Sequence, residues 1–173
     1  AEMDISGRQF DSQPCAGNAT FTGCRAPNAA YFPFGKGDDD LDIITARVAS
    51  GFLNICSQGI CLPPTTGTLE EAGAWTGQLA TMQAAGATYG QFTGAKQQAA
   101  GNPLLAAGQG WYWVEVFRHP EIFTNEGLAA STPQPVVQHP FLYRITAYVQ
   151  GRKPGTRVRL RSIFVPYLER DFD

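Results

Sequence analysis

Residues Phe141–Pro166 read FLYRITAYVQGRKPGTRVRLRSIFVP, two alternating runs joined by a turn. In the first run Phe141, Tyr143, Ile145, Ala147 and Val149 alternate with Leu142, Arg144, Thr146, Tyr148 and Gln150. That is the period of a β-strand, with its odd-numbered side chains expected toward a core. GRKPGT supplies the turn, and in the second run Val158, Leu160, Ser162 and Phe164 alternate with Arg157, Arg159, Arg161 and Ile163, so the even set is expected inward. The segment also carries Arg144, Arg152, Lys153, Arg157, Arg159 and Arg161, six of the 13 basic residues in the chain. Such a row is either a contact surface or a solvated sheet face. Strand periodicity sets Arg157, Arg159 and Arg161 side by side on the outer face, with Arg144 a candidate neighbour on the adjoining strand. These four residues form the candidate partner surface.

Outward from the hairpin, WYWVEVFR at Trp111–Arg118 is aromatic and β-branched between glycines and His119-Pro120, and predicts a third strand. The intervening ASTPQPVVQHP is too rich in proline to be a regular strand throughout. A three-stranded antiparallel sheet over 111–166 with one polar face needs apolar cover on the other. The opening AEMDI, stopped by Ser6-Gly7, reads as the end of a longer helix and supplies that cover. An upstream segment, including a membrane anchor, is therefore expected. The predicted class is α+β: one domain over 1–173, with 1–7 as the helix end and 8–110 as an irregular and helical connection. Within that connection Asp38–Phe52 predicts a short helix with Ile43, Ile44, Val48 and Phe52 on one face. Leu69, Ala72, Trp75, Leu79, Met82 and Ala85, at three- and four-residue spacing, predict another over Leu69–Ala85, weakened by Gly73 and Gly77.

A chain of 173 residues suits one core. With 43% apolar and 16% charged residues, 19 Gly and 12 Pro, it is globular and rich in turns rather than disordered. A formal net charge of −2 gives no global attraction to nucleic acid or anionic lipid, so any such binding has to be local. No run approaches the roughly 18–20 apolar residues of a membrane helix. Four cysteines fall in two close pairs, Cys15/Cys24 and Cys56/Cys61, which suggest two small disulfide loops in an oxidising compartment. Three connectivities are open, neighbour pairing closing the shortest loops. A zinc site is the rival, although the eight residues between Cys15 and Cys24 exceed the usual knuckle.

No catalytic constellation is legible. His119 and His139 each precede a proline and belong to no base–nucleophile pattern, and the common nucleotide, hydrolase and metalloprotease motifs are absent. Asp38, Asp39, Asp40 and Asp42 could hold calcium. They fit an EF-hand poorly, since Gly37 precedes the cluster, and they suit the N-terminus of a helix. Asn18-Ala19-Thr20 matches the glycosylation pattern, on which nothing is built. Trp75, Trp111 and Trp113 could form a sugar-stacking platform, but packing is the commoner fate of such residues. No cofactor, metal or small-molecule substrate is called for.

Three segments in order, SQGICLPP at Ser57–Pro64, YGQFTGA at Tyr89–Ala95 and the Phe141–Pro166 hairpin, resemble the corresponding stretches of PilX-type minor pilins of bacterial type IV pili. The opening AEMDI resembles the end of the long pilin helix. Residues 8–52 and 65–110 match no further stretch of the family beyond YGQFTGA. The resemblance implies a pilin fold, with an N-terminal helix whose first half is an inner-membrane anchor. It also implies a non-enzymatic subunit that moves from the inner membrane and periplasm into the extracellular pilus. Its implied partners are other minor pilins and a tip adhesin, in a complex that primes assembly. Two further readings stand beside it: a glycan- or calcium-binding module outside the cytoplasm, and DNA binding through Arg157, Arg159 and Arg161. A subunit-contact or solvated face is expected ahead of nucleic acid.

Overall fold

Runs that alternate this regularly pair readily, and in the computed structural model they form the centre of the molecule. The structure describes residues 1–8, 15, 24–26, 29–33, 38–49, 51–94, 110–118, 140–151 and 153–165. Its elements in chain order are α1 (Glu2–Ile5), α2 (Asp38–Val48), β1 (Cys56–Ser57), β2 (Ile60–Cys61), α3 (Leu79–Ala85), β3 (Ala87–Thr88), β4 (Gly110–Arg118), β5 (Phe141–Gln150) and β6 (Arg157–Phe164). Among these no helix is long and apolar enough to cross a membrane. Asn18, His119, His139 and Arg152 lie outside the described residues, as do the side chains of Asp38, Asp39 and Asp40.

One six-stranded sheet runs in the order β1-β2-β4-β5-β6, with β3 also on β4. The long strands pair antiparallel, Glu115 opposite Arg144 between β4 and β5, and Thr146 opposite Arg161 between β5 and β6. The far edge of β4 is shared. Residues Trp111 and Tyr112 meet β3 antiparallel, and Val114 and Glu115 meet β2 in parallel. The sheet thus recruits pieces of the 8–110 connection that their length of two residues hides from any periodicity. Between β1 and β2 the turn is Gln58-Gly59, both at positive φ (51° and 79°), which is the two-residue hairpin geometry that matches strand twist. Gly59 is required there, because a Cβ would run into the Cβ of Ala87 and crowd the backbone of Tyr112.

Both faces of the sheet are covered, not one. On the odd side of β5, Tyr143 and Ile145 pack with Phe32, Ile44, Val48, Ile60 and Val114, and Ala1 and Ile5 of the N-terminal turn join this layer. On the even side, Tyr148 meets Trp113, Trp75, Met82 and Leu69, while Leu142, Phe117 and Val165 form a smaller cluster. The expectation of a polar even face on β5 is therefore overturned: its first six residues are all buried. Leu69, Trp75 and Met82 pack over Tyr148, and Phe117 and Val165 pack with Leu142, which strand period cannot foresee.

The inward set of β6 is corrected for the opposite reason. Val158 is 52% and Leu160 67% exposed, and only Phe164 packs against the odd-side core. β6 is the last strand of the sheet, and among the described residues the covering layer stops short of it. Both helix predictions hold in part. α2 buries Ile44 and Val48 fully, with Ile43 39% exposed. Of the Leu69–Ala85 prediction, Leu69, Trp75, Met82 and Ala85 are buried and Ala72 and Leu79 half-buried, but the helix shortens to α3. A capping box between Thr68 and Glu71 starts a helical turn, and Gly73, at φ 72°, ends it.

Candidate interaction surface

The four candidate arginines separate by burial. Arg157, Arg159 and Arg161 stand on one face of β6 and are exposed, as their spacing predicts. Arg144 shares that face but is 4% exposed, so it is withdrawn from the candidate surface. Its Nε and Nη2 donate to Oε2 and Oε1 of Glu115, both at 2.7 Å, from the directly opposed position on β4. The guanidinium also lies 4.7 Å from the ring centre of Phe117. A forked pair of this kind satisfies both charges inside the protein.

Arg159 and Arg161 share one acid. Their Nη2 groups donate to the two carboxylate oxygens of Glu70, at 2.8 and 3.0 Å, and the Arg159 guanidinium lies 5.6 Å from the Trp75 ring. Those hydrogen bonds, from Arg159 first and then Arg161, hold the Glu70 carboxyl below its ordinary range. The row is thus a clasp: it ties the 69–78 segment, which covers the sheet, to the edge strand. Arg157 has no acid partner among the described residues.

A third charged cluster escaped the sequence. Asp4 of α1 and Arg25 are both buried and meet through Arg25 Nη2 to Asp4 Oδ2 at 2.6 Å and Nε to Oδ1 at 3.0 Å. Arg25 Nη1 donates to the carbonyls of Ala30 and Gln58, and its guanidinium lies 3.7 Å from the centre of the Phe92 ring. Tyr112 Oη donates to Asp4 Oδ2 at 2.7 Å. Burial, and next the Asp4 carboxylate, push the Tyr112 hydroxyl far above its usual range, so it remains a donor. Five segments converge on this one ion pair. Their separations of 21 and 108 residues leave no local pattern to read, and the sole hint was an acid in an apolar helix turn.

The cysteines pair as neighbours, Cys15–Cys24 and Cys56–Cys61. The second bridge joins directly opposed residues of the β1–β2 hairpin and is wholly buried. The first precedes Arg25 by one residue, and the Cys15 N–H donates to the Gly7 carbonyl, so it fastens the Arg25 segment beside the N-terminal helix end. All four thiols are consumed, which leaves none for zinc. Trp75 and Trp113 pack edge to face, 5.0 Å between centres, and Trp113 Nε1 donates to the Met82 carbonyl. They are interior residues and offer no sugar platform. Asp42 is exposed on α2, and the described residues contain no group of three or more potential metal ligands.

The charged clusters tie together segments that are distant in the chain, and the two disulfides close short loops. Residues 57–166 match the family model for the C-terminal part of the type IV pilus assembly protein PilX. The chain belongs to this family, which serves pilus assembly and is not a family of enzymes. No curated protein and no solved structure matches the chain. A pilus protein with two disulfides has an extracytoplasmic place in a bacterium.

Proposed function

We propose that the chain is the globular part of a minor pilin that helps prime the type IV pilus, in a tip complex with other minor pilins and a tip adhesin. The match of 57–166 to a pilus-assembly family carries this reading. In it, 1–173 acts as one pilin-like domain, with 1–7 as the end of a helix that continues upstream into an inner-membrane anchor. Support comes from the odd side of the sheet, where Val149 opposes Val158 and Ala147 opposes Leu160. That apolar strip is half-buried on β5 and exposed on β6. Next to it a small cleft of about 150 Å³ is lined by Ala1, Tyr112, Ala147 and Val149. A helix continuing from Ala1 along the strip would cover it at about 25 cal/mol per Å² of apolar surface. The subunit waits in the inner membrane and leaves for the extracellular filament, serving adhesion and twitching motility through the pilus rather than by turnover.

The test is an in-frame deletion in the bacterium of origin, complemented by the full-length gene. Loss of surface pili on deletion, with recovery on complementation and the subunit present in sheared pili at low abundance, is the expected result. Normal piliation without the gene overturns the reading.

A further inference from the structure

We propose that the cleft between the β5–β6 turn and α3 is a docking site for an acidic polypeptide segment of another pilus-assembly subunit, whose carboxylates are taken by Lys153 and Arg157. The cleft measures about 550 Å³, the size range of preformed binding sites. Leu79 and buried Tyr148 give it an apolar floor, and Gln150, Lys153 and Arg157 its polar rim. Among the described residues no acid lines it. Its wall is fixed by the turn itself, where the Gly151 N–H donates to the Thr156 carbonyl and the Thr156 N–H to that of Lys153.

The charges decide what it takes. Arg159 and Arg161, next along the same strand face, share the single carboxylate of Glu70, while Lys153 and Arg157 have no acid partner among the described residues. Two uncompensated cations over an apolar floor, on a chain whose net charge is −2, form a local attraction for a carboxylate next to an apolar side chain. Nucleic acid fits less well. Retention of DNA draws on several phosphate contacts in a row, roughly 6–10 in well-characterised binders, and the arginines that would extend the row already donate to a carboxylate.

This inference rests on the chain being a pilus-assembly subunit, and its test separates the two. The full-length protein, with a photo-crosslinking residue in place of Gln150, is expressed in the bacterium of origin lacking its own copy, and crosslinked peptides are sequenced. The crosslink is expected in an Asp- or Glu-containing segment of a different pilus subunit. Its yield should fall about tenfold or more in Lys153→Glu/Arg157→Glu and recover when the crosslinked acids are changed to lysine. Lys153→Gln/Arg157→Gln, required to melt at the wild-type temperature, should give an intermediate loss and keeps the test independent of folding. Unchanged yield in both pairs, a crosslink to an acid-free segment, or a crosslink to nucleic acid overturns the proposal. If deletion of the gene abolishes pili while the doubly reversed protein restores them with an unchanged crosslink, the cleft assignment fails and the pilus reading stands. If deletion leaves pili intact, the pilus reading fails, and the proposed partner class with it.

Discussion

Arg144 and Arg161 are diagonal neighbours on one face of the same sheet, each bound to a glutamate, and their surroundings make them different objects. The side chains of Arg144 and Glu115 are 5% and 2% exposed, whereas Arg161 and Glu70 are 37% and 51% exposed. In the interior, desolvation makes an unpaired charge costly, so each partner is indispensable to the other. At the surface, water replaces either partner cheaply, and the pair contributes little to global stability. The comparison also shows how arginines crowded onto two adjacent strands are kept apart: Arg144 has Glu115 to itself, while Arg159 and Arg161 share Glu70.

The strongest way to break this contrast is to remove one buried partner. Glu115→Ala, leaving Arg144 without its fork, should lower the unfolding free energy by about 3–5 kcal/mol in urea titrations. Glu115→Met with Arg144→Leu should recover most of that loss; a double variant as unstable as the single one would show that the site needs its charges for more than mutual compensation. Asp4→Ala should cost a similar amount, at the lower end of about 3–5 kcal/mol, because Arg25 keeps the carbonyls of Ala30 and Gln58. Opening the buried hairpin staple with Cys56→Ala/Cys61→Ala should cost about 2–4 kcal/mol, read as a shift in thermal midpoint without loss of the β-sheet signal.

Smallest is the clasp. Glu70→Gln should change stability by no more than about 1 kcal/mol and show its effect in salt and acid titrations. The lowered folded-state value of Glu70 means that its contribution is complete above the ordinary glutamate range near 4.3, and is lost as the pH falls through the folded value. The wild type should therefore lose part of its stability below about pH 4.3 that the glutamine variant has already lost at neutral pH. Equal acid profiles for the two proteins would remove Glu70 as the group that anchors the 69–78 segment to β6.

The long strands and the exposure of Arg157, Arg159 and Arg161 were legible because alternation is a local signal, readable within one run. The covering of the even face was not. A strand's period says which residues share a side and nothing about what lies over that side, so Arg144 read like Arg159, although it is buried and paired with Glu115. Val158 and Leu160 erred the other way: their pattern matches buried Tyr143 and Ile145, but they stand on the last strand, beyond the described layer. In the 69–85 segment, hydrophobic spacing marked Leu69, Trp75, Met82 and Ala85, which are buried, and Ala72 and Leu79, which are only half-buried. Helicity failed at Gly73, where a left-handed residue ends the turn.

By itself, the sequence determined the α+β class, the β4, β5 and β6 strands, two cysteine pairs and a likeness to pilus-assembly proteins, since composition, period and motif order are properties of neighbouring residues. Tertiary structure alone decided which arginines are interior, which acid each one meets, and that Asp4, Arg25 and Tyr112 form one cluster. The physical reason is that the energy of a charge depends on its solvent and its partners, and both are set by segments up to 108 residues apart that only folding brings together.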